Sequence, residues 1–226
     1  MNEWNQNIIL RKNMGSTMPP SYPNEMLVKL ISSKKYSNLT LHLFNKKLIV
    51  CELGCFSGNN LRFFLDRNDD IHGVELNNEM IDLCKKNLTR MGYKIPELKI
   101  GNNLNIPHED NYFDLFYTIN TLHYSYGDDI LKSLKEYSRI LKKGGCAVIE
   151  TVSPNHYPVK NSLNLGNLKR KWNFGGFRNN QLMGIFDNEK HFKLTLEKVF
   201  KKVEVHKRIE ITQNTKSEWF IGVCIK

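Results

Sequence analysis

The chain has 226 residues with 40% hydrophobic and 25% charged content, the proportions of an ordinary folded domain able to build a three-layer core. No apolar run approaches the roughly 20 residues that cross a bilayer. The five cysteines are scattered, with no Cys-x-x-Cys pair and no partner at zinc spacing, so no metal site is expected. A formal net charge of +10 suits an anionic small substrate or a nucleic acid and does not choose between them.

The first residues, Met1 to Asn5, carry an acid and lack a basic-then-apolar leader pattern, so the expected location is cytoplasmic. Residues 1–23 read as a loop broken by Gly15, Pro19, Pro20 and Pro23. Asn24 then caps an amphipathic helix through Leu27, Val28, Leu30 and Ile31. Lys47 to Leu53 is a short buried strand with an acid, Glu52, near its end. Gly54 and Gly58 turn the chain into a helix over about Asn59 to Asp66. A dinucleotide cradle needs Gly-x-Gly-x-x-Gly. Phe56 and Asn59 hold its second and third glycine positions, which argues against NAD or FAD.

Asp70 to Glu75 is a second strand that closes on an acid, and Asn77 caps the helix after it. Pro96 to Gly101 and Asn111 to Thr118 are the third and fourth strands. The next helix has Asp128 and Asp129 at its start and Lys142 and Lys143 at its end, the signs its dipole favours, with Gly144 as a stop. Cys146 to Val152 is a fifth strand, and five strand–helix alternations imply a parallel sheet covered on both faces. After a helix at about Asp187 to Phe200, Val203 to Ile211 and Trp219 to Ile225 alternate as two more strands. The link Thr212 to Ser217 is too short for a helical crossover, so the last strand runs antiparallel to its neighbour.

These segments together resemble the class I S-adenosylmethionine (SAM)-dependent methyltransferases, in particular the small-molecule branch called methyltransferase type 11. The resemblance rests on Glu52-Leu-Gly54-Cys-Phe-Ser-Gly58, the acid Glu75, and Gly101-Asn102-Asn103 followed by Ile106-Pro107 and Tyr112-Phe113-Asp114. It continues in Leu122-His123, Glu136, and Arg139-Ile-Leu-Lys-Lys-Gly-Gly145. It covers about Lys47 to Val152 by motif and the tail by topology. It departs from the family pattern at Phe56, where a glycine is usual, at Asn102, where an acid is usual, and at Lys143, where proline is usual.

The resemblance implies an α/β, Rossmann-like three-layer sandwich with a seven-stranded, mostly parallel sheet and an antiparallel C-terminal strand. One methyltransferase domain would span residues 1–226: an N-terminal helical segment (1–46), a SAM-binding core (47–152), a substrate-cap insertion (153–186) and a C-terminal helix and hairpin (187–226). Glu52, Gly54, Cys55, Phe56 and Gly58 would lie along the methionine end of SAM. Glu75 would accept from the ribose hydroxyls, about 20 residues beyond the glycine turn. Leu76, Asn102 and Asn103 would meet the adenine, Asn102 through its amide oxygen, and Asn120 would close the site.

His123 is the candidate base, since imidazole titrates near neutral pH; a packing or substrate-orienting histidine is the alternative. His156, Tyr157, Arg170 and Arg178 are candidate substrate contacts, because the long stretch after the fifth strand is rich in aromatic and basic residues, and Tyr22 is a further candidate from the N-terminal side. The expected activity is methyl transfer to an oxygen or nitrogen of a small, anionic metabolite. A phosphorylated or nucleotide-linked intermediate of surface-polysaccharide biosynthesis is the expected example. An RNA methyltransferase and a non-catalytic SAM-binding protein are the alternatives, and the expected state is monomer or homodimer with no membrane partner.

Overall fold

A computed structural model describes residues 22–173 and 179–226. The loop expected from Gly15, Pro19 and Pro20, and the cap residue Arg178, lie outside the described residues. In chain order the elements begin with α1 (Glu25–Ser32), β1 (Ile49–Leu53), α2 (Leu61–Asp66), β2 (Asp70–Glu75), α3 (Asn78–Arg90), β3 (Glu97–Ile100) and β4 (Phe113–Ile119). They continue with α4 (Asp129–Ile140), β5 (Leu141–Val152), β6 (Leu163–Asn164), β7 (Lys169–Lys171) and β8 (Leu182–Gly184). The chain finishes with α5 (Glu189–Glu197), β9 (Lys202–Ile211) and β10 (Lys216–Ile225). Three helix starts follow from local chemistry: Asn24, Asn77 and Asn188 each accept the N–H three residues on, at 3.0, 3.0 and 2.9 Å.

Seven strands form one sheet in the order β3-β2-β1-β4-β5-β10-β9. β1 pairs in parallel with β2 and β4, and β4 with β5, while β10 is antiparallel to both β5 and β9. The expected sheet and its reversed last strand are both present. Strand order reverses between β1 and β4, so the loops that leave these two strands diverge and open a crevice at their C-terminal ends.

The period-two alternation of the strands sorts their side chains into two cores. Cys51, Phe116, Ala147, Ile149 and Phe220 face α4 and α5, packing with Leu134, Tyr137 and Phe192. Val50, Leu115, Tyr117, Val148 and Ile221 face the other way, onto Leu27, Leu30, Phe64 and Leu88 of α1, α2 and α3. The central strands are therefore apolar on both sides, as a covered parallel sheet requires. Each fully buried Leu or Phe contributes roughly 1.5–3 kcal/mol relative to exposure.

Two expectations need correction. The helix of Asp129 ends at Ile140, and the Lys142–Lys143–Gly144 segment belongs to β5 rather than to a helix terminus. Lys142 instead pairs with Asp114 at 3.1 Å, and Gly144 sits at φ +78° beside the register shift between Phe113 and Leu115. The stretch after β5 is also more than a long connection. β6, β7 and β8 form a small antiparallel sheet, and Trp172, Met183 and Ile185 from this region pack with Val159 on Val152 and Trp219.

Arg139 of α4 locks the segment between β3 and β4. Its guanidinium donates to the carbonyls of Ile106 and His108 at 2.8 Å each and to both Glu136 oxygens, while Glu136 also accepts the Ile106 N–H at 2.7 Å. Hydrogen bonds to a charged group contribute about 1.5–3 kcal/mol. Arg139→Met should therefore lower the melting temperature by about 5 °C, measured by calorimetry. An unchanged transition would show that the loop is held by other contacts.

Candidate active site

The crevice at the β1/β4 divergence holds a cavity of about 380 Å³. Its floor is the turn after β1. Gly54 donates its N–H to the Val74 carbonyl at 2.8 Å and adopts φ +81°. A Cβ there would lie 2.4 Å from Thr121 Oγ1, so only glycine fits. Phe56 replaces the family glycine but keeps a glycine's backbone, at φ +43°, and its N–H donates to Glu75 Oε1 at 2.7 Å. Gly58 and Cys55 shape this turn from behind and do not line the cavity. A Cβ on Gly58 would come within 3.0 Å of Cys84 and Leu88 of α3, and the Cys55 thiol packs over Gly73.

Glu75 lines the cavity with each oxygen already holding one backbone N–H, the second from Leu76 at 2.9 Å. Burial raises its carboxyl above the usual range, and those two N–H donors pull it back. Glu52 is more deeply set and does not line the cavity. Asn60 donates to one of its oxygens at 2.8 Å and the Tyr117 hydroxyl to the other at 2.9 Å. Burial pushes it up to about 8, so its influence on the cavity runs through Asn60.

Across the cavity, Asn102 accepts the Leu104 N–H with its amide oxygen at 2.8 Å. That oxygen, expected to meet the adenine, already serves a turn with one lone pair, and its second lone pair and the amide nitrogen are what it can offer. Asn103 braces the loop, donating to the Thr121 carbonyl at 3.0 Å and accepting from the Tyr137 hydroxyl at 2.6 Å. Asn120 sits at φ +57° with its N–H on the Glu150 carbonyl and its Nδ2 3.4 Å from Glu150 Oε1. Its Oδ1 is buried and has no partner among the described residues.

His123 lies in the turn after β4 but is buried and does not line the cavity; its ring centroid is 4.4 Å from that of Tyr124, which does. The expected substrate contacts also stand apart. Tyr22 is 80% exposed and touches the site through its carbonyl, which accepts from Asn59 at 3.0 Å. His156 packs on Trp219 at 4.5 Å, Arg170 lies in β7, and neither these nor Tyr157 line the cavity.

Sequence reasoning missed Asn60, Tyr124 and a polar chain beside the site. Glu150 of β5 is buried, and Arg208 of β9 donates to it through Nε at 3.2 Å and Nη2 at 3.1 Å. The Arg208 guanidinium stacks 3.6 Å from the Trp219 ring centre, and Asn24, whose N–H holds Asn60 Oδ1 at 2.8 Å, also approaches Glu150. One signal was available: Glu150 is an acid inside an otherwise apolar central strand. The rest depends on pairing between β5, β10 and β9, which local patterns do not show.

Two variants check this geometry. An L-residue at φ +43° carries roughly 1 kcal/mol of strain, so Phe56→Gly should keep or raise the melting temperature; a fall of several degrees would show that the ring holds the turn. Glu52 has a folded pKa near 8 against an ordinary 4.5, so its contribution to stability is complete below pH 4.5 and is lost as pH rises through 8. Glu52→Gln should therefore gain on the wild type in thermal melts from pH 5 to pH 9. A constant gap would contradict the buried, protonated carboxyl.

Residues 51–149 match the family model described as Methyltransferase domain. The uncharacterized protein MJ0638 of Methanocaldococcus jannaschii is 32% identical over 143 residues, covering 60% of this chain and 57% of that protein. A demethylmenaquinone methyltransferase of Bacillus pumilus is 31% identical over 134 residues, covering 54% and 53%. The chain thus spans little more than half the length of the curated relatives it matches. Among solved structures, the PH0226 protein of Pyrococcus horikoshii has a TM-score of 0.62 at 16% identity, covering 95% of this chain and 99% of that one. A SAM-dependent methyltransferase of Methanosarcina mazei has a TM-score of 0.64 at 16% identity, covering 84% and 97%. At that identity these two establish the shared fold, and the family match establishes its kind. Residues 51–149, which build the crevice between β1 and β4, match a methyltransferase domain of the type 11 kind, within a fold shared with SAM-dependent methyltransferases.

Proposed function

We propose that this chain transfers the methyl group of SAM to an oxygen or nitrogen of a small molecule. The observation that carries the reading is Glu75, a carboxylate fixed at the end of β2 by two backbone N–H groups and set on the cavity wall. Its remaining lone pairs suit a pair of ribose hydroxyls. The left-handed turn at Gly54 on the cavity wall, and Asn120 Oδ1 with no partner among the described residues, fit the same occupant.

When bound, SAM would supply a methyl carbon activated by its sulfonium for transfer to the acceptor's lone pair, with S-adenosylhomocysteine as the leaving group and the acceptor's proton released to solvent. The protein's task is alignment and exclusion of water. Gly54 and Phe56 bring backbone against the methionine portion, with Asn60 at the same end and steadied by Glu52. Asn102 offers its amide nitrogen to the base edge. Asn120 and Tyr124, which follow β4, face the region where methyl and acceptor meet. His123, buried and off the cavity wall, supports these residues by packing instead of serving as an open base.

Calorimetry with S-adenosylhomocysteine tests the site. Glu75→Ala should weaken binding at least about tenfold through loss of charged hydrogen bonds, with the far-ultraviolet dichroism unchanged; equal affinity would remove Glu75 from the site. Methyl transfer from labelled SAM to a panel of small acceptors tests the activity. Transfer only to RNA, or binding without transfer, would favour one of the two alternatives.

A further inference from the structure

Strand order gives the cofactor cavity two ends. Glu75 and Leu76 from β2, with Asn102 and Asn103 after β3, form one end, while Asn60, Asn120 and Thr121 line the other, on the side of β1 and β4. β5 is the next strand in that direction, yet no described residue of it lines the cavity. Glu150 of β5 reaches that second end from behind. Its main-chain carbonyl accepts the Asn120 N–H at 3.0 Å, and its carboxylate accepts from Asn120 Nδ2 at 3.4 Å. One residue thus holds both the backbone and the side chain of Asn120, a non-glycine residue in the left-handed region at φ +57°.

The same carboxylate collects donors from elsewhere in the chain. Asn24 Nδ2 lies 3.4 Å from each Glu150 oxygen, and the Asn24 N–H holds Asn60 Oδ1 at 2.8 Å. Asn60 Nδ2 in turn donates to Glu52 at 2.8 Å, and Asn59 donates to the Tyr22 carbonyl at 3.0 Å, so residues 22–24 are stitched to the start of α2. Arg208 supplies the charge opposite Glu150, at 3.2 Å through Nε and 3.1 Å through Nη2, and is itself fixed by the Trp219 ring and by Glu210. Glu150 is fully buried, and burying an ionised carboxylate is costly even when it is paired. A well-packed apolar pair is often as stable as a buried ion pair, so stability alone does not account for an acid here. Its particular effect is to fix two residues of the cavity wall, Asn120 directly and Asn60 through Asn24. Asn60 spends its amide inside this network, and what it presents to the cavity is a surface of fixed shape. A wall set in advance spares a ligand the cost of ordering it.

We propose that Glu150 is a positioning residue for the end of the cavity that takes the amino-acid portion of the cofactor, and that Asn24 and Arg208 act through it. The adenosine portion lies towards β2 and β3, beside Glu75 and Asn102, where the network does not extend. Glu150 therefore affects ligands that carry an amino-acid tail and not a nucleoside without one. This rests on the methyltransferase reading and adds to it the device that shapes one end of the site.

Calorimetry on the full chain compares S-adenosylhomocysteine with methylthioadenosine, which keeps the adenosine and the thioether and lacks the amino-acid tail. Glu150→Gln keeps the side-chain volume and removes the charge. It should weaken S-adenosylhomocysteine about fivefold and leave methylthioadenosine unchanged, whereas Glu75→Ala, at the other end, should weaken both. Asn24→Asp keeps the cap on α1 and removes the donor to Glu150, and should give the same selective loss as Glu150→Gln. Arg208→Lys, which keeps the charge, should retain more S-adenosylhomocysteine affinity than Arg208→Met. An equal loss of both ligands in Glu150→Gln would make the acid a general support of the fold and overturn the proposal. Unchanged S-adenosylhomocysteine affinity would overturn it too. Should Glu150→Gln fail to fold, as read by far-ultraviolet dichroism, the Asn24 and Arg208 variants decide by the same comparison. A wild type that binds neither ligand overturns the methyltransferase reading itself, whereas wild-type binding with no selective loss in the variants overturns only this inference.

Discussion

Glu75 accepts the Phe56 N–H with one oxygen and the Leu76 N–H with the other, and so ties the turn after β1 to the end of β2. Charge-assisted bonds of this kind are about twice as strong as neutral ones. The positive φ at Gly54 and Phe56, the entry angle of α2 and the depth of the cavity all depend on where that turn is held. The same carboxylate lines the cavity, so one side chain supports the scaffold and forms part of the site wall. The bond to Glu75 holds Phe56 in the left-handed conformation that glycine adopts freely. The conformation is imposed by the contact with Glu75 and does not depend on glycine's freedom.

Three acids, Glu52, Glu75 and Glu150, lie buried towards the C-terminal ends of β1, β2 and β5, and each is answered differently. Glu52 has an amide and a phenol, Glu75 two backbone N–H groups, and Glu150 an arginine with amides of Asn24 and Asn120 nearby. Only the last is answered by a full positive charge. Burial raises all three above the ordinary carboxyl range, most clearly Glu52, which reaches about 8. The net charge of +10 is thus a property of the outer surface and of the basic strand β7, while the crevice itself is acidic and amide-rich. Composition averages over these two environments.

The fold was legible because each core strand alternates or runs apolar for its full length, and because Asn24 and Asn77 mark helix starts by local bonding. The terminal hairpin was legible from loop length alone. The crevice lining near the strand ends was readable for the same reason, since Gly54, Glu75 and Asn102 sit at fixed offsets from those ends. The surroundings contributed by distant segments were not. Glu150 meets Arg208 only through the β5–β10–β9 pairing, and Gln181 lines a neighbouring cavity only because the cap folds into its own sheet. Basic and aromatic residues in a long connection suggested a binding surface, but His156 and Lys169 spend those properties on Trp219 and Tyr126 within the protein. The place of His123 after β4 suggested a base, and the structure buries it off the cavity wall.

β10 follows every other strand in sequence yet lies inside the sheet, between β5 and β9. During synthesis, the segment from β1 to β5 can pair as it emerges, but β9 finds no neighbour in the sheet until residues 216–225 have appeared. Until then the Glu150 carboxylate stands without Arg208, and Val152 without Trp219. The cofactor half of the crevice can therefore be shaped by a growing chain, whereas the wall beside Asn120 is completed last, through contacts of long sequence separation that form slowly.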